Sequence, residues 1–413
     1  MKRKVWPSEI DGVLHAPPSK SAAQRAILIA SLANGVSEIL RTGTCDDVMA
    51  ATGVCQTLGA TISRQGNSLH ITGGIRTPGQ PLHCGEAGLA IRMFSGVAAT
   101  LDGNVTLTGE GSLLRRPMDT IESSLKALGV SCQTTNGFLP VHVRGPLKGG
   151  HAVIDGSLSS QILTGILIAA PFAEKDTHLA VTSLKSKPYI DLTLEIMAAF
   201  GVEAHNNNHT DFFVRAGQRY GGRHYVVEGD WSGAAFLLVA GAVAGRVMVG
   251  NLNLSSFQAD KKILHALRMA GARVTEGNNW VEVAHQPLGP FSFDATHCPD
   301  LFPPLAALAS NCRGESRITG VERLRAKESD RASTLKDIFQ HMGIEIRLED
   351  NTMYISGGKK QGATVSAHGD HRIAMAAAIA ALNADGPVTI DDAQAVDKSY
   401  PDFFDDLKHI MTE

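Results

Sequence analysis

A spacing, rather than any single motif, most constrains what this chain can fold into. Six aspartates, Asp47, Asp119, Asp191, Asp260, Asp330 and Asp402, each stand just ahead of an amphipathic stretch. Successive separations are 72, 72, 69, 70 and 72 residues by subtraction. Five of the stretches end at a glycine: Gly59, Gly129, Gly201, Gly271 and Gly343. This is helix punctuation. An Asp accepts from the free N–H groups at a helix start, and a Gly adopts the left-handed conformation that ends one. After each Gly come two alternating segments split by a polar turn, such as 202–205 with 212–214 and 344–346 with 353–355. These predict paired strands.

A second helix class interleaves with the first, at 19–33, 88–100, 159–170, 232–245, 300–309 and 371–382. Each opens on a short polar start and continues in small apolar residues. They are apolar nearly all round, so they are expected to be buried. A period near 70 residues is too long for a simple solenoid and too short for an independent domain. The 413 residues hold six such units, the last incomplete after its helix at Asp402. Residues 1–16 precede the first buried helix, so they are expected to pack with the last unit. That makes one domain discontinuous in sequence, and a three-plus-three grouping into two α/β domains fits the count.

Composition closes off several function classes. Hydrophobic residues make up 43% and charged residues 19%, enough apolar surface for large cores. The net charge of −3 gives no global reason to expect nucleic acid or an anionic membrane, so any anion site must be a local basic cluster. The longest apolar run, 234–245, stops at Arg246 and is too short to span a bilayer. The basic N-terminus has no apolar stretch behind it, as a signal peptide would. Six scattered cysteines with no C-x-x-C argue against a disulfide framework or a zinc site and predict reduced thiols in the cytoplasm. No nucleotide-binding G-x-x-x-x-G-K-[ST] or G-x-G-x-x-G occurs, and no H-E-x-x-H or G-x-S-x-G.

Polar side chains stand at the starts of the buried helices: Lys20, Ser21 and Arg25; Glu86 and Arg92; Ser159, Ser160 and Gln161; Asp300; His371 and Arg372. Basic residues also precede the outer helices: Arg115 and Arg116, Lys187, Lys327 and Lys398. Helix N-termini carry free N–H groups and partial positive charge, and Arg adds bidentate geometry for phosphate and carboxylate. If the starts converge they make an anion pocket. Each signal has a plainer reading. The repeat aspartates read first as caps. Ser159 and Ser160 could cap a helix, the 327–331 run could be a solvated charged face, and Asp370-His371-Arg372 could be a satisfied turn.

Seven motifs in one order and at one pitch carry a resemblance. They are Ser19-Lys-Ser-x-x-x-Arg25; Leu107-Thr-Gly-Glu110 with Arg116-Pro117; Asp155-Gly-Ser-x-Ser159-Ser-Gln161; Ser186-Lys-Pro-Tyr189-Ile-Asp191; Arg325-x-Lys327-Glu-Ser-Asp-Arg331; Asp370-His-Arg-x-Ala-Met375; and Lys398-x-x-Pro401-Asp-Phe403. The chain resembles the 5-enolpyruvylshikimate-3-phosphate synthases, the enolpyruvyl transferases of the shikimate pathway, over essentially its whole length. The resemblance implies an α/β enolpyruvyl transferase fold: two domains, each of three βαβαββ repeats around buried parallel helices. It places one domain at 17–227 and the other at 1–16 plus 228–413, with the active site in the interdomain cleft. It implies transfer of the enolpyruvyl group of phosphoenolpyruvate to the 5-hydroxyl of shikimate 3-phosphate, on the route to chorismate and the aromatic amino acids. It implies no cofactor and no metal, no nucleic-acid or membrane partner, and a cytoplasmic monomer.

Residue by residue, Lys20, Ser21 and Arg25 resemble the first substrate-binding motif, with Lys20 touching both substrates and counted as catalytic. Ser159, Ser160 and Ser186 resemble the hydroxyls on the shikimate phosphate, Tyr189 lies near the ring, and Gln161 resembles the amide between the substrates. Gly88 resembles a phosphoenolpyruvate contact. Arg116, Arg331, Arg372 and Lys398 resemble the cationic cage around phosphoenolpyruvate. Asp300 and Lys327 resemble the pair at the shikimate hydroxyls, and Asp300 and Glu328 the catalytic base and the acid–base residue at the methylene. Three positions depart from the family pattern: Gly85-Glu86-Ala87-Gly88-Leu89 stands for Gly-Asn-x-Gly-Thr, Pro18 replaces a Gly, and Arg323 stands where some members place Asn. Glu86 is thereby expected to add an anion near a site built for anions. The related UDP-N-acetylglucosamine enolpyruvyl transferases stay open as an alternative, although they begin the site with Lys-Asn rather than Lys20-Ser21. So does a non-catalytic anion-binding protein on the same scaffold, against which the intact Asp300, Lys327 and Glu328 argue.

Overall fold

The structure is a computed structural model and describes residues 1–325 and 327–412. The chain divides into two compact units, one of Met1–Pro17 with Glu228–Glu413 and one of Pro18–Val227.

In the Pro18–Val227 unit the described residues form three four-stranded sheets of one pattern. The sheet of strands Gly150–Asp155, Thr177–Thr182, Ala204–Asn207 and Asp211–Val214 shows it in chain order. The first two strands pair in parallel across a buried helix, Gln161–Ala169. An outer helix, Pro188–Ala199, then leads into the antiparallel hairpin that closes the sheet. This is a βαβαββ unit, and parallel pairing requires the helical crossover.

The other unit repeats the pattern and shows where the N-terminal segment goes. Strand Ile10–His15 pairs in parallel with Gly245–Gly250, while Arg3–Val5 pairs antiparallel with Val388–Asp391. The segment is thus shared between two sheets. Only its first strand joins the last repeat, whose sheet has three strands instead of four.

The two helix classes differ as their sequences demand. Helices Gly88–Ala98 and His371–Ala381 are buried at every residue, and Trp231–Ala244 is buried at all but its last. Outer helices bury one stripe. In Phe403–Ile410 that stripe is Phe403, Leu407 and Ile410, one face at helical spacing. Helices packed on all sides need small residues where they touch. A Cβ on Gly96 would lie 2.5 Å from the Gly165 carbonyl carbon and oxygen, so helices Gly88–Ala98 and Gln161–Ala169 meet backbone to backbone.

The helix ends divide the caps differently from the sequence reading. The five closing glycines all have positive φ, from 76° at Gly129 to 108° at Gly59, as expected. The repeat aspartates, however, do not cap through their side chains. Asp47, Asp119 and Asp191 lie inside the first helical turn, and Asp260 sits in a short 3₁₀ segment. Side-chain caps fall on the buried helices, at Ser19, Asp230 and Asp370. Among the described residues the other buried helices, Gly88–Ala98, Gln161–Ala169 and Phe302–Ala309, carry no side-chain cap at the N-cap position.

Gly96→Ala should therefore destabilise the chain by about 1–3 kcal/mol through overpacking against a neighbouring backbone that has no rotamer to yield. Urea denaturation of variant and parent checks this, with an equally stable variant as the contrary result.

Candidate active site

Sequence motifs for the site lie on both units, and each unit gathers its own set. In the Pro18–Val227 unit the start of helix Lys20–Leu32 is capped by Ser19, whose hydroxyl accepts from the Ala22 N–H at 3.3 Å. Lys20 follows, with Nζ 2.9 Å from Asp47 Oδ2 and both side chains mostly buried. Arg25, one turn on, is buried. Its Nε donates to Thr193 Oγ1 at 2.9 Å, Nη1 to the Ser21 carbonyl at 2.7 Å, and Nη2 to Thr164 Oγ1 and the Tyr189 carbonyl. Burial pulls this guanidinium down to about 10, with Tyr189 and Tyr225 opposing. Arg25 thus ties the starts of three helices together by their oxygens.

Ser159 Oγ accepts from the Gln161 N–H at 3.2 Å, Ser160 is buried beside it, and Gln161 Oε1 accepts from Arg92 Nη1 at 3.4 Å. Ser186 is held in the left-handed region at φ 54°, with its carbonyl accepting from Tyr189 N–H at 3.1 Å. A non-glycine residue there signals a constrained turn. Arg116 lies against the start of helix Gly88–Ala98, where a Cβ on Gly88 would come 2.2 Å from its Nη1. The absence of a side chain at Gly88 is what admits the guanidinium. Glu86 turns toward the neighbouring loop: Oε2 accepts from Ser112 N–H at 2.9 Å and Ser112 Oγ at 2.5 Å. The expected bare anion is therefore a carboxylate engaged in bracing the loop that carries Arg116.

The other unit gathers its residues around Arg331, which is 1% exposed. Its Nε lies 2.8 Å from Asp370 Oδ2, Nη1 lies 2.7 Å from Asp300 Oδ1, and Nη2 lies 2.6 Å from Glu328 Oε2. Lys327 Nζ approaches the same Asp300 oxygen at 3.3 Å, and Arg372 Nη2 reaches Asp300 Oδ2 at 3.2 Å. Burial alone would raise the Asp300 carboxyl, but Arg372, Lys327 and Arg331 outweigh it and hold it well below the usual carboxylate range. Burial pushes the Lys327 ammonium down to about 8 against the pull of Asp300. Burial also opposes the charge on Arg331, yet Asp370, Glu328 and Asp300 raise it. Arg372 and Lys398 are buried, and Arg372 Nε has no hydrogen-bond partner among the described residues.

Asp300, Lys327, Glu328, Arg331 and Arg372 thus form one network, and Lys20, Ser21, Arg25, Ser159, Ser160, Gln161, Ser186 and Tyr189 stand at linked helix starts. Sequence reasoning missed four residues. Asp370 was read only as a motif letter, though an Asp immediately before a polar helix start is a cap signal. It caps helix His371–Ala381 through the Arg372 N–H at 3.0 Å and binds Arg331 as well. Asp47 and Asp260 were read as caps, and Ser232 only as a helix start. All three face other site residues across the fold, which no local spacing reveals.

Comparison with known proteins settles what this arrangement belongs to. A family model described as EPSP synthase (3-phosphoshikimate 1-carboxyvinyltransferase) matches residues 6–407. The chain belongs to the EPSP synthase family. A 3-phosphoshikimate 1-carboxyvinyltransferase of Methanocorpusculum labreanum is 38% identical, with 99% of this chain and 98% of the relative covered. One from Clostridium botulinum is 35% identical, over 98% and 96%. A solved EPSP synthase structure from Acinetobacter baumannii superimposes with a TM-score of 0.85 at 26% identity, covering 99% of this chain and 98% of that one. The chain is an enolpyruvyl transferase of the shikimate pathway, moving the enolpyruvyl group of phosphoenolpyruvate to the 5-hydroxyl of shikimate 3-phosphate.

Asp370→Ala should destabilise the enzyme by about 2–4 kcal/mol, because it removes one of three acids from a buried guanidinium and uncaps a buried helix. The check is guanidinium chloride unfolding. A loss below about 1 kcal/mol, the value of an exposed pair, would show that Arg331 finds water or another acid.

Proposed function

We propose that the two residue sets serve one pair of substrates, as the interdomain reading of the sequence expects, with the roles divided by chemistry. Two phosphates and a carboxylate repel one another, so cations on both units must offset that charge. Arg116, Arg331, Arg372 and Lys398 take phosphoenolpyruvate, with Gly88 leaving room for Arg116. Ser159, Ser160 and Ser186 take the shikimate phosphate, with Tyr189 and Gln161 beside it. Ser21 and Lys20 open the site, and Lys20 works on both substrates. Arg25 acts by fixing the starts of the helices that carry these groups. The observation that carries this reading is the Asp300–Arg331–Glu328 network, which puts two carboxylates on one guanidinium at 2.7 and 2.6 Å.

Addition–elimination needs three proton transfers. The substrate hydroxyl loses a proton as it attacks the enol carbon, and the methylene gains one. Loss of that methylene proton with phosphate then yields the product enol ether. Glu328 is the acid–base group at the methylene. Asp300 accepts the hydroxyl proton. Three cations make it a weak base in the free enzyme, and anionic substrates that draw Arg372 and Lys327 toward themselves weaken that hold. Its pKa rises with binding, and the proton transfer becomes favourable only when the substrates are in place. Action in the cytoplasm as a single chain belongs to the same proposal. The cysteine spacing, unsuited to a disulfide framework, supports the compartment.

A coupled phosphate-release assay tests the reading. Turnover is expected with shikimate 3-phosphate and none with UDP-N-acetylglucosamine. Glu328→Gln should lower kcat by about 10²–10⁴ while leaving shikimate 3-phosphate binding near normal, since the amide keeps the shape but exchanges no proton. Near-normal turnover in that variant removes Glu328 from the mechanism. For Asp300, the sign is fixed by its role as a base: kcat falls as acid protonates it. Asp300→Asn should therefore lose the acid limb of the kcat profile as well as most of the rate, measured at saturating substrates across pH. An acid limb that persists unchanged assigns it to another group.

A further inference from the structure

Arg372 has a second partner, set by a chain of buried groups behind it. Its Nη2 donates to Ser232 Oγ at 3.2 Å as well as lying 3.2 Å from Asp300 Oδ2. Ser232 Oγ in turn donates to Asp260 Oδ2 in a very short bond. Asp260 has no exposed surface, and Ser232 and Arg372 are buried. Three elements distant in sequence are thereby linked: the start of helix Trp231–Ala244, the 3₁₀ segment Ala259–Lys262 and the start of helix His371–Ala381.

The Ser232 end is anchored from several sides. Asp230 accepts from the N–H groups of Ser232 and Gly233 at 3.3 and 3.2 Å. Gln258 Oε1 accepts from Trp231 N–H at 3.0 Å, and its Nε2 donates to Glu228 Oε1 and the Gly229 carbonyl, both at 2.8 Å. A hydroxyl on so braced a backbone keeps two freedoms, its χ1 rotamer and the direction of its O–H, and the bond to Asp260 restrains both. With its proton committed to Asp260, Ser232 Oγ can only accept, and the donor presented to it is Arg372 Nη2.

We propose that Asp260 is a positioning residue for phosphoenolpyruvate recognition: through Ser232 it holds the Arg372 guanidinium to a single bond with Asp300. Without that hold, the Asp300 carboxylate is the dominant charge drawing on Arg372. The guanidinium would turn onto Asp300 in a two-bond pair, and Nε, which has no protein partner among the described residues, would turn away from the ligand. Burial and the nearby Asp300 also push the Asp260 carboxyl up, to about 6, the mark of a group kept in place at an electrostatic cost.

This rests on the assignment of Arg372 to phosphoenolpyruvate, and the test separates the two. Steady-state kinetics on the full chain would compare Arg372→Ala, Asp260→Ala, Asp260→Asn, Ser232→Ala and Asp260→Ala/Arg372→Ala. Asp260→Ala and Ser232→Ala should each raise the KM for phosphoenolpyruvate about tenfold, as for a weakened charged hydrogen bond, with kcat and the KM for shikimate 3-phosphate within about twofold. Asp260→Asn keeps an acceptor oxygen and should recover most of the loss. The double variant should be no worse than Arg372→Ala. If Arg372→Ala leaves that KM unchanged, the assignment of Arg372 falls and the inference with it. If Arg372→Ala raises it but neither Asp260→Ala nor Ser232→Ala does, the inference alone falls. It falls also if Asp260→Asn is as damaging as Asp260→Ala, or if both substrates weaken equally. Should Asp260→Ala fail to fold, Ser232→Ala decides the matter by the same readings.

Discussion

A guanidinium cannot be taken out of water unless oxygen acceptors surround it, and at Arg331 those acceptors are acids. Its three nitrogens face Asp370, Asp300 and Glu328 at 2.8, 2.7 and 2.6 Å. The acids come from a helix cap, a 3₁₀ turn and the loop before helix Arg331–His341, so satisfying one charge fixes three segments at once. Such a cluster need not stabilise the fold relative to an apolar core, since desolvation offsets most of the attraction. What it supplies is position. Two carboxylates, Asp300 and Glu328, are held by the same cation, at distances set by its planar fork.

The other unit meets a similar condition with different chemistry. Arg25 is as deeply buried as Arg331, yet it donates to two threonine hydroxyls and two carbonyls. Neutral oxygens solvate a guanidinium without cancelling its charge. Burial there lowers the pKa of Arg25, whereas the acids around Arg331 raise its pKa. The net charge of the two settings therefore differs. Around Arg25 the partners leave the positive charge uncancelled. Around Arg331 three carboxylates offset it in part, and Lys327 and Arg372 add positive charge on Asp300.

Much of this was legible in the sequence because periodicity survives without knowledge of contacts. The 70-residue spacing, the closing glycines and the all-apolar helices each follow from local rules, and each appears in the structure as a turn, a hairpin or a buried rod. The aspartates show where local rules stop. Asp47, Asp191 and Asp260 occupy equivalent points in the repeat, yet they bind Lys20, His209 and Ser232 respectively. An Asp at a helix start looks the same in sequence whether water or a buried side chain stands opposite. Glu86 shows the same limit: its charge is visible in the sequence, but the Ser112 N–H and hydroxyl that bond it are 26 residues away. The roles of Glu328 and Asp300 came from resemblance, since a Lys-Glu-Ser-Asp-Arg run reads by itself as a solvated face.

The division of Arg372 between Ser232 and Asp300 shows how stability and function are set against each other here. A buried N–H with no partner costs about 1–3 kcal/mol, and Arg372 Nε is such a group among the described residues. A fold selected for stability alone would place an oxygen there, or let the guanidinium close fully on Asp300. Either change would satisfy the donor and spend the cation. On the proposed assignment of Arg372 to phosphoenolpyruvate, a ligand oxygen at Nε recovers that cost on binding. That recovery enters the binding free energy of the ligand, so affinity for the anion and marginal stability without it are two readings of one atom.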